Sequence, residues 1–349
     1  MVGAHVTDAW TRLEDRNRTL YMYTVFIAGM AAPLFLFLAG LTIAMAASSR
    51  AIKVGHSDAV AQARKRGLQV FALAFLFRLQ SQLLGWGALI NFLKVDILNV
   101  MGIAMFAAAI IWGLSANRIV RILLFAIATA AVAMTTPAVR EAGVLAALPD
   151  AIEAYIRPLA GRTTFALFPW AAFLLAGAIV GELVFAAKTE PQERRLQAGL
   201  LISGLAGAVV AHQFSFRPSI YPVANFWTSS PTFFFIRLGF CTAMVPIARA
   251  VDAFHGLVRS WLGDRLPSGS PGMVITTLGR SSLFVYWIHV EMAYGGLSRP
   301  LKRALPLEWS LVATVALCAV LYKIVKWKDR KMAGRELTGA WRIFAPVLK

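Results

Sequence analysis

The stretch APLFLFLAGLTIAMA, Ala32–Ala46, decides the fold class because its fifteen residues include no charge. It overlaps a longer apolar run, Leu20–Met45, and a membrane-crossing helix needs roughly 20 such residues to span about 30 Å of hydrocarbon. Hydrophobic residues make up 58% of the 349-residue chain and charged residues only 15%, a balance too apolar for a soluble protein of this size. The sequence therefore predicts an integral membrane protein.

Eight further segments have the same apolar character, and the short connections between them favour one continuous helical bundle. They are Gly67–Trp86, Ile97–Leu114, Ile119–Met134, Thr164–Phe185, Leu196–His212, Phe233–Val251, Ile275–Glu291 and Ser310–Val325. We therefore expect an all-α fold, a polytopic membrane bundle with nine full spans. Residues 1–326 form the predicted membrane domain, and residues 327–349 form a basic tail that follows the cytoplasmic interface.

The first residues, MVGAHV, are mostly apolar and are followed by a polar stretch. This pattern is typical of the last turns of a membrane helix, although six helical residues rise only about 9 Å. We therefore expect a truncated first helix, which would give ten spans in the complete protein. An ordinary exposed N-terminus is the alternative.

Lysine and arginine are unevenly distributed between the predicted spans, and the formal net charge is +18. The connections on the side of residues 47–66, together with the C-terminal tail, carry 21 of these cations, whereas the connections on the other side carry 11. Cytoplasmic loops are enriched in Lys and Arg, so this distribution predicts a cytoplasmic C-terminus and, in a bacterium, an inner-membrane location. Because the cations lie between spans and form no basic domain, no nucleic-acid partner is expected.

The sequence shows no signal for a metal centre or a disulfide scaffold. Cys241 and Cys318 both lie inside apolar segments, where they are expected to act as packing residues. The histidines are too scattered for the spacing of metal ligands, and no phosphate-binding loop or nucleophile elbow is present.

Polar and ionisable residues recur in the half of the predicted spans that faces away from the cytoplasm. Each has an ordinary explanation when taken alone: Arg78 could extend its charge to the interface, and Asp96 could cap its helix. Their convergence at one depth, from helices far apart in sequence, instead predicts a buried polar site, because such groups are costly in lipid. The candidates are His5, Asp8, Arg78, Asp96, Asn99, Arg237 and His289.

Several stretches together resemble the heparan-α-glucosaminide N-acetyltransferase-like proteins and the related acyltransferase-3 family. They are APLFLFLAGLTIAMA (Ala32–Ala46), LKVDILNVMGIAM (Leu93–Met105), FPWAAFLLAGAIVG (Phe168–Gly181) and LGRSSLFVYWIHVEM (Leu278–Met292). Their order and spacing carry the resemblance, which extends from Ala32 to about Met292. The related families commonly carry an essential histidine at the end of the first helix, a position that His5 matches. The Arg/Asp-rich residues that usually precede that helix are absent here.

The resemblance implies transfer of an acyl group, typically acetyl, from cytosolic acyl-CoA to a sugar or glycan acceptor beyond the membrane. His5 would serve as base or acyl carrier, oriented by Asp8 or Asp96, with His289 as the second candidate base. Asn99, Arg78 or Arg237 would stabilise the oxyanion. Arg64, Lys65, Arg66 and Arg280 are candidates for the coenzyme phosphates, although these cations also serve as topology signals.

The main alternative is a transporter or flippase for a small anionic or glycolipid substrate, which would use the same intramembrane charges. Coenzyme A should stabilise an acyltransferase but not a transporter. The partners implied by the enzyme hypothesis are the lipid bilayer, acyl-CoA and the glycan acceptor, with a homo-oligomer left open.

Overall fold

A computed structural model describes residues 1–85, 92–262, 271–333 and 347. Within these residues the chain is all-helical, with no β-strand and only two isolated bridges. The α-helices are α1 (Val2–Trp10), α2 (Thr19–Ala28), α3 (Ala31–Val54), α4 (His56–Gly85), α5 (Ile97–Gly113), α6 (Arg118–Glu141), α7 (Asp150–Ile156), α8 (Leu167–Ala186), α9 (Glu190–Ser215), α10 (Pro231–Leu262), α11 (Pro271–Arg280), α12 (Ser282–Tyr294) and α13 (Leu307–Met332).

Six segments of the described chain are long and apolar enough to cross a membrane. They are Thr19–Val54, Arg118–Glu141, Leu167–Ala186, Glu190–Ser215, Pro231–Phe254 and Leu307–Met332. The prediction of an integral membrane helical protein is therefore confirmed, whereas the count of nine or ten spans stays a prediction.

The other predicted spans take more varied forms. Helix α5 has 17 residues and is a shorter apolar helix. The segment predicted as one span, Ile275–Glu291, is divided between α11 and α12, which meet at Ser281. Trp86 and most of the predicted tail, 334–346 and 348–349, lie outside the described residues. The domain division at residue 326 stays a prediction, and α13 continues past it to Met332.

Contacts divide the chain into two compact units. The described residues of Met1–Ala31, Leu76–Leu89 and Ala250–Lys349 form the first unit, and those of Ala32–Phe75 and Ile90–Arg249 form the second. Helices α4 and α10 contribute residues to both.

The second unit is built around α8, which packs against α6 and α5 and contacts α3 through glycines. A Cβ atom on Gly40 of α3 would overlap the carbonyl oxygen of Leu174, and one on Gly177 of α8 would overlap that of Phe37. Backbone therefore meets backbone at this crossing, which is the small-residue contact by which membrane helices approach closely. Phe37 and Leu174 beside it are almost completely buried.

One carboxylate is completely buried in the second unit, near the C-terminal end of α8. Glu182 Oε1 accepts hydrogen bonds from Ser48 Oγ at 2.7 Å and from Trp112 Nε1 at 2.6 Å. Its Oε2 accepts from Arg121 Nη2 at 2.8 Å, and Arg118 Nε lies at 3.7 Å. The Arg121 guanidinium also covers the Trp112 ring, 4.5 Å from its centroid. We call this group the Glu182 cluster; it joins α3, α5, α6 and α8.

In the first unit, α1 packs against α12 and α13. Val6 and Trp10 belong to its hydrophobic core, together with Val285 of α12 and Leu321 of α13. The Trp10 indole also donates a buried hydrogen bond of 2.9 Å to the carbonyl of Ala293. These contacts fix α1 against α12 and thereby set the positions of the polar residues on both helices.

A carboxylate also anchors the start of α13 in the first unit. Asp15, in the 3-10 turn Leu13–Asn17, accepts hydrogen bonds from Arg12 Nε at 2.8 Å and from the Leu307 backbone amide at 3.0 Å. Arg18 approaches its other oxygen at 3.4 Å. The Asp15 side chain is only 7% exposed, but those of Arg12 and Arg18 are 45% and 44% exposed.

Candidate active site

The predicted residues His5 and Asp8 of α1 lie beside Tyr294 at the end of α12. The Tyr294 hydroxyl donates to Asp8 Oδ2 at 2.7 Å, and His5 Nδ1 lies 3.2 Å from the same hydroxyl oxygen. An ionised carboxylate can only accept, so it takes the single phenolic proton. The Tyr294 oxygen must then accept from the N–H at His5 Nδ1. In the neutral imidazole, this leaves the lone pair on Nε2.

The second predicted histidine, His289, lies next to the first. Its ring centroid is 5.1 Å from that of His5, and the side chain is completely buried. Its Nδ1 lies 2.6 Å from the Val285 carbonyl oxygen, which can only accept, so Nδ1 carries the proton. His289 Nε2 has no hydrogen-bond partner among the described residues. A buried polar atom without a partner is costly and indicates a ligand or a water molecule.

His5, Asp8, His289 and Tyr294 form what we call the histidine cluster. It runs from solvent to the interior, because the Asp8 side chain is 61% exposed whereas His289 is fully buried. Arg16 covers the exposed end, with its Nη1 atom 3.9 Å from Asp8 Oδ1. The spacing of His5 and Asp8 suggested part of this group, but nothing in the sequence pointed to Tyr294, which is 289 residues from His5.

Arg78, another predicted residue in the first unit, lies close to the other face of α12. Its charge acts on Glu291, which also accepts a hydrogen bond from Ser81. Trp287 lies one turn before Glu291 on α12, and its indole donates a hydrogen bond of 2.5 Å to the side-chain oxygen of Gln80 on α4. Glu291 was not singled out in the sequence as a site residue, and its proximity to the Arg78 charge adds it to the surroundings of that residue.

Asp96 and Asn99, which belong to the second unit, form the N-terminal cap of α5. Asp96 Oδ1 accepts from the Ile97 amide at 2.6 Å, and Asn99 Oδ1 accepts from the Asp96 amide at 3.1 Å. The arrangement is a capping box, so both residues have a structural function in starting the helix. The Asn99 amide nitrogen also donates to the Tyr155 hydroxyl at 3.2 Å.

Arg237, also in the second unit, lies over the ring of Phe233, with its guanidinium carbon 4.0 Å from the ring centroid. It lines a cavity of about 310 Å³ that also contains Arg140, Trp170 and Trp227. Nothing in the sequence pointed to Arg140. Arg140 is identified by its position, because it lines the same cavity as Arg237. Among the described residues, no carboxylate lines that cavity.

Three of the predicted coenzyme-binding cations lie inside α4, and the fourth ends α11. Arg64 lies over Phe106, with its guanidinium carbon 5.2 Å from the ring centroid, and Arg66 is close enough to Arg50 for their charges to repel. Lys65 is exposed between them, and Arg280 is exposed in the last turn of α11. Among the described residues, no three His, Cys, Asp or Glu side chains are arranged to hold a metal ion.

Comparison with known protein families gives a match over the N-terminal part of the chain. Residues 1–210 match the family described as "Heparan-alpha-glucosaminide N-acetyltransferase, catalytic", whereas no curated protein matches the chain. The matched region includes His5, Asp8, Asp96 and Asn99 but ends before the helix that carries His289. Because the match covers more than half of the 349 residues, the chain belongs to the heparan-α-glucosaminide N-acetyltransferase catalytic family.

Proposed function

We propose that the protein is a membrane acetyltransferase that moves an acetyl group from cytosolic acetyl-CoA to a sugar acceptor on the extracytoplasmic side. The observation that carries this proposal is the histidine cluster, in which hydrogen bonds leave both His5 and His289 with an Nε2 lone pair. Membership of an acetyltransferase family supports the reaction class.

His5 is the proposed base. Its Nε2 accepts the proton of the acceptor hydroxyl or amine while that oxygen or nitrogen bonds to the thioester carbonyl carbon. The carbon–sulfur bond then breaks, and the imidazolium returns its proton to the departing thiolate. During these steps Tyr294 and Asp8 hold Nδ1 and stabilise the positive charge on the ring. In the alternative route, Nε2 itself carries the acetyl group between donor and acceptor.

His289 is the second candidate for the same role. Its lone pair lies in the interior, whereas the exposed carboxylate of Asp8 lies at the other end of the cluster. The hydrogen bonds through the Tyr294 hydroxyl connect His5, rather than His289, with this carboxylate. Asp96, Asn99, Arg78 and Arg237 stay predicted contributors to orientation and oxyanion stabilisation.

The proposed donor carries phosphates, and cations on α3 and α4 suit them. Arg50 and Arg66 lie near one another, and neither forms an ion pair among the described residues. Two unpaired guanidinium groups provide the forked donors that phosphate prefers. Arg64 and Lys65 adjoin Arg66 in sequence, and successive helical residues point about 100° apart, so not all three can face one phosphate group. Arg280 stays a separate prediction.

The uneven distribution of Lys and Arg supports the proposed orientation, with residues 47–66 and the tail in the cytoplasm. It also supports an inner-membrane location in a bacterial cell. Acyl-CoA is made in the cytosol, so the donor would approach from the side that carries these cations.

The test uses the full chain purified in detergent, with acetyl-CoA as donor and glucosamine as acceptor, and measures release of the coenzyme thiol. We expect turnover, and we expect His5→Ala to reduce it at least about 100-fold, the lower end of the effect of a positioned acid–base group. His212→Ala is the control, because His212 is an exposed histidine on α9, and it should retain normal turnover.

Other outcomes separate the alternatives. Near-normal turnover of His5→Ala, with loss in His289→Ala, would move the base to His289. Radioactive acetyl retained on the wild-type protein but not on His5→Ala would identify His5 as an acyl carrier. If acetyl-CoA gives no turnover and no thermal stabilisation, the proposal is excluded and the transporter is favoured.

A further inference from the structure

Helices α9 and α10 cross closely at a pair of glycines in the second unit. A Cβ atom on Gly204 would lie 2.7 Å from the Gly239 carbonyl oxygen, so no larger side chain fits at the crossing. From Gly204 to Ser215, α9 continues for about 16 Å at 1.5 Å per residue. Along this length a cavity of about 800 Å³ lies between the two helices. Its walls are mainly apolar and include Val210, Phe214, Phe235 and Leu238.

Next to this groove lies the smaller cavity of about 310 Å³ that contains Arg140 and Arg237. Ser230 lines both cavities, so they adjoin at that residue. Aromatic side chains, including Trp170 and Trp227, also line the smaller cavity. The cavity on one side of Ser230 is therefore elongated and mainly apolar, and the cavity on the other side is compact and positively charged.

The two arginines of the smaller cavity lack anionic partners within the described residues. Arg237 forms no hydrogen bond or ion pair there, and its guanidinium group lies over the Phe233 ring. Arg140 makes one long hydrogen bond, 3.4 Å, to the Phe168 carbonyl, and its Nε atom is buried without a partner. Each guanidinium group offers five N–H donors. Two half-buried cations with almost all of their donors unused indicate a site for an anion.

We propose that the two adjoining cavities bind one membrane lipid with a phosphate headgroup. The phosphate lies between Arg140 and Arg237, and the hydrocarbon chain lies in the groove between α9 and α10. Charge complementarity selects the phosphate. The apolar groove selects a lipid over a soluble anion, because it lies between two helices that are long and apolar enough to cross a membrane. Its volume is within the range of about 300–1,000 Å³ that is typical of ligand pockets.

None of the residues of this site belongs to the histidine cluster, although Arg237 is also a predicted contributor to the acyl transfer. The site gives Arg237 a function in binding a headgroup, which differs from the predicted stabilisation of an oxyanion. The two functions can be separated, because the binding measured below needs no acyl donor.

The test measures binding of dioctanoyl phosphatidic acid to the full chain in detergent, by native mass spectrometry and thermal stabilisation. Dioctanoylglycerol, which lacks the phosphate, and inorganic phosphate, which lacks the chains, are the matched probes. We expect saturable binding of phosphatidic acid alone. Arg140→Gln and Arg237→Gln should each weaken it about tenfold or more, because each removes a charge-assisted hydrogen-bond donor.

A second pair of variants tests the groove without removing a charge. Gly207 lines it, and a Cβ atom there would meet nothing within 4 Å, so Gly207→Leu should fill the groove and block the hydrocarbon chain. Gly199 is on the same helix, has equally open surroundings and does not line the cavity, so Gly199→Leu should bind normally. Replacing either helical glycine should also favour the helix, which protects both variants from misfolding.

Several results would overturn the proposal. Equal binding of dioctanoylglycerol would show that the phosphate does not contribute to binding. Equal binding of inorganic phosphate would show that the hydrocarbon chain does not contribute. Unchanged affinity in the arginine variants, or equal affinity in the two leucine variants, would place the lipid elsewhere. Absence of saturable binding to the unmodified chain would exclude the site altogether.

Discussion

Glu182 in the second unit and His289 in the first are both completely buried polar side chains, yet their surroundings differ. Glu182 accepts three hydrogen bonds, from Ser48, Trp112 and Arg121, and each of its oxygens has a donor. His289 has a partner for Nδ1 and none, among the described residues, for Nε2. A buried group that is fully paired stabilises the fold, whereas one with an unused lone pair is available to a ligand. Burial alone therefore does not identify a site; at His289 the unpaired Nε2 beside a second histidine indicates one.

The largest expected effect comes from removing the carboxylate of Glu182, the fully paired residue of the two. We expect Glu182→Ala to lower the free energy of unfolding by about 3–5 kcal/mol, because it leaves Arg121 as a buried charge without its partner. Denaturant unfolding in detergent measures the loss. Glu190→Ala is the control: Glu190 pairs with Arg194 on the surface, where an ion pair contributes about 1 kcal/mol or less. Equal stability of the two variants would show that Glu182 is not a structural charge.

The next effect concerns the incompletely paired member and is expected in activity. His289→Asn keeps an N–H donor near the Val285 carbonyl but removes the Nε2 position, whereas His289→Gln keeps a polar atom near Nε2. If Nε2 contacts a ligand, we expect His289→Asn to lower acetyl transfer by about 100-fold and to change the thermal midpoint little. His289→Gln should lose less. A large loss of stability with proportionate loss of activity would instead assign His289 to the fold.

The smallest effect tests whether exposure of the partners matters as much as their number. Asp15 has as many partners as Glu182, but Arg12 and Arg18 are nearly half exposed. The hydrogen bond from Arg12, together with the Leu307 amide, holds the pKa of the Asp15 carboxyl below its ordinary value. A carboxyl pKa that is lower in the folded state stabilises that state at pH values above the pKa of the unfolded state, about 3.9. This contribution is lost as the pH falls through the pKa of the folded state.

We therefore expect Asp15→Asn to reduce the thermal midpoint modestly at pH 7 and to differ less from the unmodified protein as the pH falls below about 4. Thermal unfolding in detergent across this pH range measures the difference. A destabilisation as large as that of Glu182→Ala would show that the number of partners, not their exposure, sets the contribution. A difference that grows towards low pH would contradict the direction of the pKa shift.

The sequence predicted the elements of this fold that depend on local composition. Apolar runs predicted the membrane helices, and the spacing of Asp96 and Asn99 put them on one face at the start of α5, where they form its cap. The single predicted span Ile275–Glu291 is two helices that meet at Ser281, which accepts a hydrogen bond from Lys328 of α13 at 3.0 Å. Hydropathy averages over a window and does not register such a break.

The candidate site was less accessible to sequence reasoning because its contacts are long-range. His5 and His289 were selected individually, but their proximity depends on how α1 packs against α12. Tyr294 and Arg140 carry no local pattern that distinguishes them from other aromatic or basic residues. Glu182 is a single carboxylate near the end of an apolar segment, and only the donors around it show that it is buried and paired.

The glycine contact between α3 and α8 also constrains how this sequence can vary. Every other amino acid carries a Cβ atom, and at Gly40 and Gly177 that atom would overlap a backbone carbonyl, which cannot rotate away as a side chain could. Substitution at either position therefore requires the two helices to separate, and a change at one cannot be compensated by a smaller residue at the other. Unlike most core positions, which accept residues of similar volume, these two admit a single amino acid and leave no route for gradual divergence.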